Sequence, residues 1–290
     1  MNKDDTIIKV DQDDLLMPFL IRKLTTKNKD NIKSLLRNKQ VWVGNKAVSQ
    51  FNHPLRLHDE VIIKWIRSSD LPSEKFLNIV YEDDDLIVID KKSGLLSVSD
   101  GHEHVTAVGL LNDWVKKQNP SGRVYIVHRL DQYTSGLLMF VKNEKVQNIF
   151  RENWKAYVTE RIYTAVAEGE VKKKAGRITS YLSENDAMMM SSSQDPSKGK
   201  YAATNFKVIN TTAQYSLLEV SLDTGKKNQI RVHMKDIGHS IAGDRKYGAR
   251  TSPVGRLCLH ASVLALKHPV TGKELRFESK APAEFLRLFR

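Results

Sequence analysis

Cysteine is almost absent from this chain of 290 residues: Cys258 is the only one. One thiol closes no internal disulfide, and it lies in an apolar run without neighbouring metal ligands, which fits a reducing compartment. Long apolar runs are missing as well. The longest falls far short of the roughly 20 residues that span a bilayer, and no signal-peptide core follows the first five residues, Met1 to Asp5, so a cytoplasmic protein is expected. Neither a Gly-x-Ser-x-Gly elbow nor a phosphate-loop signature occurs, which argues against a serine hydrolase or a P-loop nucleotidase. There are no internal repeats. Acids are outnumbered, 34 against 46 Lys and Arg, for a net charge of +12. That excess points to a polyanionic partner without identifying it.

The chemistry-bearing residues concentrate in a few segments. Val127 to Gly136 reads Val-His-Arg-Leu-Asp-Gln-Tyr-Thr-Ser-Gly and lies between two apolar runs, Val124 to Val127 and Leu137 to Val141. Runs of this length and composition read as buried strands, so Asp131, with Arg129 two residues before it, sits on a loop held rigidly at both ends. From Lys226 to Arg256 eight Lys or Arg face only two acids, Asp236 and Asp244. Phosphate-binding charge is therefore expected along this segment.

Residues 15–67 form a separate small module in this reading, with 1–14 as an N-terminal extension. Phe19, Leu20 and Leu24, then Ile32, Leu35 and Leu36, repeat at helical spacing, and Lys29, Lys33 and Arg37 fall on another face as a basic stripe. As a bare pattern, such a stripe is equally a solvated helix surface. Val41, Val43 and Val48, then Leu55, Leu57, Val61 and Ile63, alternate as short strands. A polar segment with a proline, within 68–76, reads as a linker, and 77–290 as the second domain. There, Ile79 to Tyr81 and Leu86 to Ile89 flank Glu82-Asp83-Asp84-Asp85 as a hairpin with an acidic turn. Helical spacing recurs over 105–117 and 146–154, and most other apolar segments are strand-like. The fold class is α+β, with a long, mainly antiparallel sheet. The Met-Met-Met-Ser-Ser-Ser run between Ser183 and Lys200 reads as a mobile insertion. No metal site is expected: adjacent acids in a turn point in different directions, and His102-Glu103-His104 lacks a third ligand.

The His128–Gly136 run, together with Glu160–Gly169 (Glu-Arg-Ile-Tyr-Thr-Ala-Val-Ala-Glu-Gly), Thr224–His233 and Gly238–Gly248, resembles in order three motifs of the RluA-like RNA pseudouridine synthases. Leu259-His260-Ala261 and His268-Pro269 fit too, so the resemblance runs from about Ile79 to the C-terminus. Asn228 departs from it, where many members carry histidine, as does Ser240, where many carry proline; both departures bear on loop geometry. The resemblance implies a catalytic domain with a mainly antiparallel mixed sheet flanked by helices and loops. It implies Asp131 as the catalytic carboxylate, Tyr163 packed on the target base and Arg231 paired with Asp131. Arg129 would fill the space left by a flipped nucleotide. His128, Thr134, Lys226, Lys227, Gln229 and Ile230 are candidate RNA contacts within the matched motifs. The 15–67 module resembles the small RNA-binding domain named for ribosomal protein S-four, with Lys29, Lys33 and Arg37 toward RNA.

Isomerising uridine requires the base to be detached, rotated while held and rejoined through carbon five, with no redox change and no cofactor. A carboxylate can serve as nucleophile at the sugar or the base, or as a proton acceptor, and the sequence does not choose. The resulting expectation is a monomeric synthase acting on large-subunit ribosomal RNA, with transfer RNA as the alternative substrate and no membrane partner. The rival from another class is a non-catalytic RNA-binding ribosome-assembly factor on the same fold.

Overall fold

The computed structural model describes residues 5–25, 27, 29–37, 39–44, 46–64, 75–99 and 105–290. The chain divides into two compact units, Met1–Glu74 and Lys75–Arg290. Most of the linker segment, and His102, Glu103 and His104, lie outside the described residues.

The first unit contains β1 (Thr6–Lys9), β2 (Asp14–Leu15), α1 (Leu16–Lys23), α2 (Lys29–Arg37), β3 (Val41–Val43), β4 (Lys46–Ala47), β5 (Pro54–Leu55) and β6 (Glu60–Ile63). The helices bury Phe19 and Leu20 of α1 and Ile32 and Leu36 of α2 against Val41, Val61 and Ile63. Pro18 is tolerated in the first turn of α1 because the amide it lacks would have had no intrahelical acceptor. Two expectations are corrected here. The segment expected as an extension, 1–14, is structured in its described part: β1 pairs along its whole length with β6, and Val10 is 1% exposed in the core. Leu57 is not a strand residue but lies exposed in the turn between β5 and β6, where its amide donates to Asp13.

The second unit contains β7 (Leu77–Glu82), β8 (Leu86–Lys91), α3 (Ala107–Gln118), β9 (Tyr125–Ile126), β10 (Ser135–Val141), α4 (Glu144–Tyr157), β11 (Val158–Glu168), β12 (Ala175–Glu184), β13 (Met190–Ser193), β14 (Lys200–Thr211), β15 (Tyr215–Leu222), α5 (Gln229–Asp236), β16 (Leu259–Lys267), β17 (Glu274–Glu278) and α6 (Ala283–Leu286). One sheet runs β13-β12-β14-β15-β11-β16-β10-β8-β7, with β17 on β16 and β9 on β10. All its pairs are antiparallel except β10 with β16. The α+β architecture with a long, mainly antiparallel sheet is thus as the sequence indicated. Both expected helices form, each capped by a side chain: Thr106 Oγ1 accepts from Gly109 N, and Asn143 Oδ1 from Val146 N. Val146 and Phe150, one helical turn apart on α4, pack on Leu137, Met139 and Leu264. The Met-Ser segment is not a loose insertion. Β13 pairs with β12, and Met190 is buried with Val232 and Tyr247.

At the parallel contact Gly136 stands opposite Ala261 with φ +107°. A Cβ there would collide with the backbone of Ala261, so only glycine lets β10 leave the Asp131 loop and join β16. Gly136→Ala combines left-handed strain with overpacking and is expected to cost at least about 2 kcal/mol. Urea unfolding checks this, and an unchanged midpoint would contradict it.

Candidate active site

Asp131 lies on the loop joining β9 to β10, and that loop is fastened from beneath by the chain following β8. Ser97 Oγ donates to Leu130 O (2.8 Å) and accepts from Leu130 N (3.2 Å); Gly94 N donates to Gln132 O (2.9 Å), and Ser93 Oγ to Tyr133 O (2.8 Å). Lys91, fully buried, donates from Nζ to Leu95 O, Gln132 O and Lys92 O at 2.8, 2.9 and 3.1 Å. Burial pushes the Lys91 ammonium down to about 7, against the pull of the Asp131 carboxylate.

Helix α5 supplies the opposing groups. Gln229 Oε1 accepts from Thr224 Oγ1 and Lys226 N, and its Nε2 donates to Ala203 O and Thr204 Oγ1. One turn on, His233 bridges Thr204 and Ser180, and burial lowers its pKa. These two side chains pin α5 to the sheet and leave Arg231, between them in sequence, turned toward Asp131. Arg231 Nη1 donates to Asp131 Oδ2 (3.0 Å), while Nε and Nη2 make a bidentate pair with buried Asp244, both at 2.7 Å. The guanidinium lies 4.8 Å from the Tyr247 ring centroid. Burial alone would lower its pKa, but Asp244 and Asp131 together raise it above the ordinary arginine range.

Asp131 Oδ2 also accepts from Asn228 Nδ2 at 2.6 Å, and Asn228 Oδ1 accepts from Tyr247 Oη at 3.1 Å. Among the described residues no hydrogen bond reaches Asp131 Oδ1. Asn228 precedes α5 in the left-handed conformation, φ 52°, which asparagine adopts more readily than most residues. Tyr163, 8% exposed on β11, lies at a register shift against β16, a place where sheets re-aim side chains. Its ring, Asp131, Arg129, Thr134, Lys226 and Ile230 are among the residues lining a slot of about 60 Å³. Burial raises the Tyr163 pKa, so at neutral pH it offers a ring face and a phenol rather than a base.

The slot thus gathers Asp131, Tyr163 and Arg231 with Arg129, Thr134, Lys226 and Ile230. Lys227 is exposed, ion-paired with Glu184, and lines the wider cavity beside the slot. Two candidate RNA contacts are corrected. His128 turns into the core: its Nε2 accepts from Met139 N, its ring packs 5.2 Å from Trp154, and burial, then the charge of Arg161, lowers its pKa to about 3. Gln229 borders the slot, but its amide is fully engaged by the fold. Lys29, Lys33 and Arg37 share a face of α2 in the first unit; Lys29 and Arg37 are exposed and Lys33 meets Asp30 at 3.4 Å. Sequence reasoning missed Lys91, Asn228, Asp244 and Tyr247. The signal for Asp244 was present, as one of two acids in a strongly basic segment.

The acidic turn does gather a third group: one ligand atom each from Asp83, Asp85 and His268 lies within 4.8 Å of the others. Asp83 and His268 are engaged within the fold. Asp83 Oδ1 accepts the amides of Asp85 and Leu86, and its Oδ2 the Tyr81 hydroxyl. His268 Nδ1 accepts from Val270 N and Thr271 N, which puts the ring proton on Nε2, facing Asp83 at 3.1 Å. The cluster locks the turn and leaves the imidazole no lone pair for a cation.

A carboxylate clamped beside a tyrosine, under a basic rim, is arranged to act on a planar group carried on a polyanion. Residues 85–236, just over half of the chain, match the family model for RNA pseudouridylate synthase. The chain is 34% identical to the RNA pseudouridine synthase YlyB of Bacillus subtilis, over 90% of its own length and 88% of the relative's. It is 32% identical to a ribosomal large subunit pseudouridine synthase D of Neisseria meningitidis, over 86% and 72%. Human RNA pseudouridylate synthase domain containing 4 shares the fold, with TM-score 0.59 and 24% identity over 72% of this chain and 90% of that one. The chain belongs to the RNA pseudouridine synthase family and is an isomerase of uridine in RNA. Among the described residues no helix is long and apolar enough to cross a membrane.

Two expectations follow from this geometry. Asn228→Gly removes the amide without straining φ, and Asn228→Asp keeps the shape but sets a second carboxylate against Asp131. A hydrogen bond to a charged group contributes about 1.5–3 kcal/mol, so Asn228→Gly should lower kcat about 10- to 150-fold and Asn228→Asp further, with KM for RNA held. A kcat for Asn228→Gly within about twofold of the parent would show the contact to be idle. For Lys91, the folded pKa lies below the unfolded one. The unfolded chain therefore binds more protons between pH 7 and the ordinary lysine range, and this group makes stability rise with pH across that window. Lys91→Met should remove that rise, so the parent's stability relative to the variant should increase from pH 7 to pH 9.5 in urea titrations; a flat difference contradicts the assignment.

Proposed function

We propose that this enzyme isomerises uridines of large-subunit ribosomal RNA, with Asp131 as the catalytic carboxylate, Arg231 as its clamp and Tyr163 as the face against which the target base rests. The observation that carries this reading is the asymmetry at Asp131. Oδ2 is held by Arg231 and Asn228, among the described residues no donor reaches Oδ1, and the carboxylate shares its slot with Tyr163. A carboxylate fixed through one oxygen presents the other at a defined place for attack or proton transfer. Leu222, Ile230 and Leu259 give the slot apolar walls suited to a flat, extruded base. Thr134, Lys226 and Arg129 border the slot as RNA contacts, and Lys227 lies just outside it.

The ribosomal substrate is supported by the relatives whose names specify the ribosomal large subunit. The first unit supports it as well, since two helices on a small antiparallel sheet, with Lys29, Lys33 and Arg37 on one helix face, suit an S-four-type RNA-binding module. No cofactor enters the reaction in this reading, and a cytoplasmic monomer suffices for it.

The test is Asp131→Asn, assayed by release of tritium from carbon five of uridine-labelled RNA. Isomerisation should fall by more than the roughly 10²–10⁴ of general acid–base catalysis while RNA affinity holds. Turnover within about tenfold of the parent would remove Asp131 from the role. Mapping pseudouridines in a strain lacking the gene should show losses in large-subunit RNA; losses confined to transfer RNA would transfer the assignment there, and no loss at all would favour a non-catalytic assembly factor.

A further inference from the structure

The slot opens beside a second, wider cavity of about 610 Å³, and Arg129, Asp131, Asn228 and Arg231 belong to the walls of both. The slot itself leaves no room for a second nucleotide. Whatever polymer places a base in the slot must continue through the space that shares its walls. We propose that the wider cavity is a subsite for the nucleotide adjacent to the target uridine, with Tyr133 as the stacking face for its base and Arg129 and Arg245 as contacts to its phosphates. This rests on the reading of the slot as the uridine site.

Tyr133 is 55% exposed, although both its neighbours are held. Gln132 O accepts from Gly94 N and Lys91 Nζ, Tyr133 O accepts from Ser93 Oγ, and Thr134 is 2% exposed with its amide on Asp131 O. The backbone is therefore fixed while the exposed side chain lines the cavity, so a stacking partner has only the two side-chain torsions of Tyr133 left to order. An aromatic side chain that served only packing would be turned inward on so well anchored a loop.

Charge points the same way. Among the described residues Asp131 and Asp244 are the only acids lining the cavity, and Arg231 holds both. Lys227 is paired with Glu184 and Arg256 with Glu284, whereas among the described residues Arg129, Arg245 and Lys246 have no carboxylate partner, Lys246 donating to Met188 O instead. Two uncompensated guanidinium groups beside an exposed ring suit a nucleotide, which carries both a phosphate and a planar base. An acidic protein segment would satisfy the charges, but nothing in it would continue into a slot built for a flat base.

The experiment uses the full chain and a ribosomal RNA fragment that the parent modifies, with 2-aminopurine placed on either side of the target uridine. Binding should quench the fluorophore on one side. Tyr133→Leu should abolish the quenching and raise KM by about 5- to 150-fold, with kcat within about threefold of the parent, and Tyr133→Phe should behave as the parent. Because the ring is exposed, the unfolding midpoint of Tyr133→Leu should not move, which separates the effect from misfolding. Arg245→Gln should flatten the log–log salt dependence of binding by about 0.7, the single-strand contribution of one phosphate contact. Unchanged KM and quenching in Tyr133→Leu overturn the stacking subsite while the isomerase reading stands, and an unchanged salt slope overturns the phosphate contact. A parent that converts no uridine in any RNA overturns the isomerase reading and the subsite with it.

Discussion

The site depends on one side chain shared between two carboxylates. Arg231 spends the fork of its guanidinium on buried Asp244 and has one nitrogen left for Asp131. The bidentate pair fixes the plane of the group, the Tyr247 ring supports its face, and the remaining N–H then meets Asp131 from a single direction. Lysine, a point charge on a flexible stem, cannot hold both partners in this geometry. Removing either acid would leave a largely buried charge short of its partner, the costly way to break such a pair. Gln229 and His233 follow from the same requirement. Among the described residues neither is hydrogen-bonded to Asp131, yet they fix the helix from which Arg231 reaches it.

The loop carrying Asp131 shows the complementary strategy. Within its own eight residues only the Thr134 amide, on Asp131 O, ties it; most of its order comes from the 91–97 segment beneath it, through three side chains and one amide that hold its carbonyls. A buried ammonium with three N–H groups against three carbonyls is a compact way to fix backbone that cannot pair as sheet. Its positive charge also lies where Asp131 offsets part of the cost of burying it.

Much of this was legible from residue order. Apolar runs on both sides of Asp131 announced strands, and spacing announced α3 and α4. The turn after β7 was visible from its acids, although not their partner His268, which arrives from the far end of the chain. What remained hidden was long-range or lacked side-chain periodicity. Β1 and β13 are short, and β13 is rich in serine; each is a strand because its backbone finds a neighbour, which local pattern does not encode. The 100 residues between Asp131 and Arg231 were joined through family resemblance, not through spacing. Asn228 was misjudged for a related reason: as a departure in a loop it suggested altered geometry, whereas its amide reaches the carboxylate itself.

The amide of Met190 donates to the Tyr247 hydroxyl, which in turn donates to Asn228, and Asn228 to Asp131. Β13 is the terminal strand of the sheet, and terminal strands fray at far lower free energy than central ones. The loop that carries Asp131 leads into β10, inside the sheet, yet part of the carboxylate's alignment is borrowed from the rim. The alignment of Asp131 is therefore open to events at the rim that leave the core intact. Loosening the rim alone would withdraw the first donor of this hydrogen-bond chain while the core stays folded, without any group beside Asp131 being altered.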